Sequence, residues 1–130
     1  MPSTDPQRVL AVEDNPETQL LLKHLLRPNF EVVTADSVDE ALARSDEGRY
    51  HLLLLDINLG EKRTGVDLLD LLRDIENVVH VPAIALTAYA MPGDRDNFID
   101  AGFDAYVSKP FTRDDLMSTI NRVLGSREAP

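Results

Sequence analysis

Cysteine is absent from the 130-residue chain, which removes disulfides and thiolate metal sites but leaves the compartment open, since either redox environment tolerates its absence. Basic residues are scarce. Thirteen Lys and Arg stand against twenty-three Asp and Glu, a formal charge of −10, so the surface offers no basic field to a phosphate backbone and direct DNA or RNA binding is not expected. Long apolar runs are missing too, none approaching the ~18 residues of a membrane span. Met1-Pro2-Ser3-Thr4-Asp5-Pro6 has neither the basic nor the apolar region of a signal peptide. The expectation is a soluble cytoplasmic protein with no membrane attachment. A hydrophobic fraction of 43% is ordinary for a folded chain, so the acidity belongs to a surface and not to disorder. The length fits one domain, residues 1–130.

What is present is organised around Leu52-Leu53-Leu54-Leu55-Asp56-Ile57-Asn58. Four apolar residues without polar alternation suit a strand buried on both faces, as at the centre of a parallel sheet. Ligands of open parallel sheets bind beyond the carboxyl ends of the strands, where this run places Asp56. Taken alone, the stretch is equally compatible with Asp56 opening a turn.

The rest of the chain repeats the pattern. Arg8 to Val12 reads as a strand ending on Glu13-Asp14, and Asn15-Pro16 starts a helix, with the Asn as N-cap and Pro at the first helical position. Leu20, Leu21, Leu22, Leu25 and Leu26 give that helix a broad apolar face. Phe30 to Ala35 is the next strand. Ser37 and Glu40 form a capping-box pair opening a short helix that Gly48 closes. After Asp56 and a polar loop, Gly60 to Gly65, comes a helix carrying Val66, Leu68, Leu69, Leu72 and Ile75. Ala83 to Leu86 is a strand ending on Thr87, followed by a helix from Pro92 to Ala101. Ala105 to Ser108 is the last strand and ends on Lys109-Pro110, and a final helix capped by Thr112 stops at Gly125. Five strands alternating with five helices predict an α/β, (βα)5 doubly wound parallel five-stranded sheet. Glu13, Asp14, Asp56, Thr87 and Lys109 then share one edge of it.

Carboxylates converging there repel one another and call for a cation. With only oxygen donors the choice is a hard ion, Mg²⁺ or Mn²⁺. Thr87 and Lys109 add a hydroxyl and an ammonium, and with the metal these can each take one oxygen of a phosphoryl group. A carboxylate is a competent nucleophile in such chemistry, which makes Asp56, on the most buried strand, the expected acceptor. The Lys109-Pro110 bond is a candidate cis peptide. His24, His51 and His80 lack metal-ligand spacing. Asp94, Asp96, Asp114 and Asp115 sit in first helical turns, where the helix dipole accounts for them.

From about residue 8 to 125 the chain resembles the receiver domains of two-component response regulators, including the single-domain chemotaxis type, leaving short tails at 1–7 and 126–130. The resemblance rests on Val12-Glu13-Asp14-Asn15, Leu54-Leu55-Asp56-Ile57-Asn58, Leu86-Thr87-Ala88 and Asp104-Ala105-Tyr106-Val107-Ser108-Lys109-Pro110-Phe111, in that order and spacing. It implies the flavodoxin-like strand order 2-1-3-4-5. It also implies that Asp56 accepts a phosphoryl group from a phosphohistidine of a sensor kinase or histidine phosphotransfer protein. Glu13, Asp14, Asp56 and the Asn58 backbone carbonyl would match the metal site, Thr87 and Tyr106 the switch pair, and Lys109 the phosphate-binding lysine. A downstream protein or a second copy would dock on the last two helices and strand.

Two features depart from the family pattern. The loop after Asp56 lacks the Met-Pro often found there and carries Glu61-Lys62-Arg63. Tyr89 is expected near the phosphoryl site, where its bulk, together with Asn58, would bear on the lifetime of the phosphorylated state. The strongest competitor is a haloacid-dehalogenase-like phosphatase, which also uses an Asp nucleophile, a hydroxyl, a Lys and Mg²⁺. Those enzymes usually place a general-acid Asp two residues after a nucleophile on the first strand. Here that position is Asn58, which has no proton to give, and the strand is the third. A non-phosphorylated receiver-like interaction module would usually have lost Asp56, Lys109 or one of the acid pair. A flavodoxin is disfavoured because no hydroxyl- and glycine-rich loop follows the first strand.

Overall fold

A computed structural model describes residues 7–88 and 93–128. Five strands, β1 (Gln7–Val12), β2 (Phe30–Ala35), β3 (Leu52–Asp56), β4 (Ala83–Thr87) and β5 (Ala105–Ser108), alternate with five helices. The helices are α1 (Pro16–Leu26), α2 (Val38–Ser45), α3 (Gly65–Leu72), α4 (Asp94–Asp100) and α5 (Arg113–Glu128). All pairings are parallel and the order is β2-β1-β3-β4-β5, the flavodoxin-like order implied by the resemblance.

β3 is central, pairing with β1 through Val12↔Leu55 and with β4 through Asp56↔Leu86. Its four leucines are fully buried because the sheet is covered on both faces. Successive strand residues point to opposite sides. Leu53 and Leu55 therefore join the core beneath α2 and α3 with Val38, Ala41, Leu68 and Leu72. Leu52 and Leu54 join the core beneath α1 and α5 with Leu22, Leu26, Leu116 and Ile120.

Helix starts follow their caps. Asn15 Oδ1 accepts from the Glu17 N–H at 2.8 Å and Thr18 N–H at 3.4 Å, with Pro16 behind it. Ser37 Oγ accepts from the Glu40 N–H, while the returning Glu40 carboxylate accepts from Asp36 and not Ser37. Thr64 and Asp67 form a full capping box before α3, and Thr112 and Asp115 exchange the equivalent pair of bonds before α5.

Three expectations change. Leu20 and Leu21 are 67% and 43% exposed; with 3.6 residues per turn, Leu20 lies about 200° around the helix from the buried Leu22, so the five leucines do not share a face. Ile75 falls beyond α3, which ends at Leu72 where the Arg73 guanidinium turns to the carbonyls of Val78, Val79 and Val81. Gly125 does not stop α5, which runs on to Glu128. A terminating glycine adopts positive φ, and Gly125 does not. No helix among the described residues is long and apolar enough to cross a membrane.

Candidate functional site

Four of the five strands, all but β2, deliver their last side chain, or the one after it, to the site at one edge of the sheet. Glu13 follows β1, with its N–H bonded to the Ala35 carbonyl of β2. Asp56 is the last residue of β3 and Thr87 the last of β4. Lys109 follows β5, its N–H bonded to the Thr87 carbonyl at 2.7 Å, and the Lys109-Pro110 peptide is cis. Residues up to ninety-six positions apart meet as a result. Lys109 Nζ lies 2.9 Å from Glu13 Oε2 and 3.0 Å from Asp56 Oδ2. Glu13, Asp56 and Thr87 are buried, while Asp14 stands at the solvent-facing rim.

One carboxylate oxygen from each of Glu13, Asp14 and Asp56 lies within 4.8 Å of the other two. Burial first, and then the shared hydrogen bond with Asp56, pushes the Glu13 carboxyl up to about 7, against the opposing pull of Lys109. Burial works to lower the Lys109 ammonium, but its bonds to Glu13 and Asp56 outweigh that and hold it above its ordinary value. One ammonium cannot balance three carboxylates. A divalent cation held by oxygen fits this donor set in both charge and chemistry.

The loop leaving Asp56 is built on backbone contacts. The Asn58 N–H donates to Asp56 Oδ1 at 3.1 Å, and the Asn58 side-chain oxygen accepts from the Gly60 N–H. Gly60 takes φ +70°, a conformation that favours glycine, and a Cβ there would come within 2.9 Å of Asp14 Oδ2 and push that side chain aside. At Gly65 the α3 backbone comes so close to β3 that a methyl would run into the Asp56 carbonyl oxygen. The Gly65 N–H bonds the Ile57 carbonyl at 2.9 Å.

Tyr106, on β5, is half-buried with its ring 5.9 Å from that of Phe98 on α4, and Phe98 stacks edge-on to Phe103 at 6.2 Å. Tyr89 lies outside the described residues. His24 and His80 are exposed, and His51 accepts the Arg8 N–H on Nδ1. Sequence reasoning did not single out Gln19, whose amide donates to the Glu13 carbonyl at 2.6 Å, nor the close approaches at Gly60 and Gly65. The glycines were visible only as loop residues.

Residues 9–121 match the family model described as the response regulator receiver domain. Among curated proteins, the polar-differentiation response regulator DivK of Brucella anthropi is 36% identical over 121 residues, covering 92% of this chain and 98% of its own length. Among solved structures, the chemotaxis protein CheY4 of Vibrio cholerae superposes with a TM-score of 0.84 at 28% identity, covering 92% of this chain and 99% of that one. The receiver domain of the sensor histidine kinase PA1611 from Pseudomonas aeruginosa is 35% identical with a TM-score of 0.81, covering 93% and 99%, and holds a magnesium ion coordinated in its active-site cleft.

Proposed function

The chain belongs to the response regulator receiver domain family, and from that premise we propose that Asp56 is its phosphoacceptor, taking a phosphoryl group from a phosphohistidine on a kinase or histidine phosphotransfer protein. The observation that carries this reading is the placement of Lys109 Nζ between Asp56 and Glu13. It sets a cation beside a buried carboxylate at the end of the central strand.

In the transfer, an Asp56 carboxylate oxygen attacks phosphorus, the phosphorus–nitrogen bond of the donor breaks, and the imidazole leaves with the electron pair and is reprotonated. The central strand fixes the Asp56 backbone, and the Asn58 N–H holds Oδ1. This leaves the nucleophile little reorientation to do before attack. Lys109 stabilises charge on the phosphoryl oxygens, and the Thr87 hydroxyl takes another of them. Held by Glu13, Asp14, Asp56 and the Asn58 carbonyl, Mg²⁺ or Mn²⁺ would neutralise phosphoryl charge; the magnesium in the related Pseudomonas receiver cleft supports that assignment.

The product carries nearly two negative charges. It draws Thr87 and Lys109 toward it, and Tyr106 repacks where Thr87 has moved. The surface of α4, β5 and α5 thereby becomes the readout for a downstream protein or a second copy. In this reading the chain is a cytoplasmic signalling switch with a receiver core from about residue 8 to 125, catalysing only its own phosphorylation and dephosphorylation. Asn58 and Tyr89 are the positions we assign to the lifetime of the phosphorylated state.

Acetyl phosphate with Mg²⁺ should add one phosphoryl group, read by intact mass, and Asp56→Asn should abolish the gain. An unchanged gain in that variant would sink the assignment. Sustained turnover of a phosphate ester would instead favour a phosphatase, a role for which Asn58 supplies no general acid.

A further inference from the structure

The loop between β3 and α3 is anchored at both ends, by the Ile57 N–H on the Leu86 carbonyl and the Gly65 N–H on the Ile57 carbonyl. Its middle is held to a distant helix start by its own side chains. Glu61 Oε2 accepts the Val38 N–H at 3.2 Å, across twenty-three residues. The first N–H groups of a helix have no partner within it. Ser37 serves the Glu40 N–H, and Glu61 serves Val38. Arg63 closes the arrangement, with one nitrogen 3.0 Å from Asp39 Oδ1 on α2 and another 3.3 Å from Glu61 Oε1. Leu59, between these residues and Asp56, is buried in the core beneath α2 and α3.

We propose that Glu61 and Arg63 are positioning residues that clamp this loop to the first turn of α2, presetting the Asn58 carbonyl and the Gly60–Asp14 approach for a divalent cation. The inference rests on the cation site described above. The clamp touches neither the acceptor nor the acids. It acts by raising the fraction of molecules whose loop is already in the binding arrangement, and apparent affinity scales with that fraction. The start of α2 is thereby coupled to the metal-binding loop.

Charge alone predicts the opposite sign for one variant, which makes the test decisive. Arg63→Ala removes a cation from the loop; simple electrostatics then predicts tighter Mg²⁺ binding, whereas loss of the clamp predicts weaker binding. Titration of the full chain with MgCl₂, following the Asn58 and Gly60 amide resonances, should give a Kd raised about two- to fivefold in Arg63→Ala, the range set by loss of an exposed ion pair. Glu61→Ala, which also abandons the Val38 N–H, should raise it about three- to tenfold. Glu61→Gln keeps an acceptor for that N–H and should recover most of the loss, although it removes the same charge as Glu61→Ala. Unchanged or tighter binding in Arg63→Ala overturns the clamp, as does equal weakening in Glu61→Gln and Glu61→Ala. A wild-type chain showing no saturable Mg²⁺ shift overturns the cation site itself, and the clamp with it.

Discussion

Replacing Lys109 by methionine keeps the length of the side chain and removes the ammonium that sits between Glu13 and Asp56. With carboxylate oxygens no more than 4.8 Å apart, two full charges repel by about 3 kcal/mol at an effective dielectric of about 20. In metal-free buffer at pH 8, above the Glu13 titration of the native chain, Lys109→Met should therefore lose up to about 3 kcal/mol of folding stability, reduced by whatever proton Glu13 takes up to relieve the repulsion. At pH 5 the outcome differs. Burial, and then Asp56, places the folded-state titration of Glu13 at about 7 against an ordinary value of 4.5. The Glu13 proton thus contributes stability that is full below about 4.5 and is lost as pH rises through about 7. Without Lys109, whose effect on Glu13 is to lower it, the proton is held to higher pH still. A protonated Glu13 does not repel Asp56, so at pH 5 the variant should lose only about 1 kcal/mol, the worth of the missing hydrogen bonds. Urea unfolding followed by circular dichroism in EDTA measures both values. A loss that is the same at pH 5 and pH 8, or no loss at pH 8, refutes the account of Lys109 as the counter-charge. Saturating Mg²⁺ at pH 8 should restore part of the difference.

The same titration of Glu13 sets the pH dependence of metal binding. Below about pH 7 Mg²⁺ must displace the Glu13 proton, so its affinity should rise with pH up to about 7 and then level off; calorimetry in buffers of different ionisation enthalpy would reveal the released proton, and a flat profile would refute the link. Gly65→Ala forces α3 away from the Asp56 carbonyl, and should destabilise the chain by about 1–3 kcal/mol in urea unfolding while slowing phosphorylation by acetyl phosphate.

Much of the site was legible because it is carried by strand ends. The leucine run of β3 announced burial on both faces, and alternation of strand and helix placed Asp56, Glu13 and Lys109 at one edge before any distance was known. Asn15-Pro16 marked the start of α1 because the cap chemistry is local. What the sequence concealed depends on tertiary approach. Leu20 and Leu21 resemble core residues until the helix is rotated against the sheet, and only Leu22 and Leu26 are then fully buried. Gly125 resembles a stop signal, but a glycine ends a helix by its φ, which composition does not specify. The bond from the Val38 N–H to Glu61 joins residues that nothing local connects, so Glu61 and Arg63 read only as a departure in loop composition.

The alternation of Leu52, Leu53, Leu54 and Leu55 between two cores also sets where this chain tolerates changes in length. Deleting one residue within β3 would exchange every later side chain between the two faces, delivering Asp56 to the wrong helical layer and each leucine to a cavity shaped for its neighbour. An added residue between Asp56 and Gly65 alters neither parity nor register. It would, however, move Glu61 and Arg63 off the first turn of α2, so a change of length after Asp56 should cost divalent-cation affinity, whereas one within β3 should cost the fold.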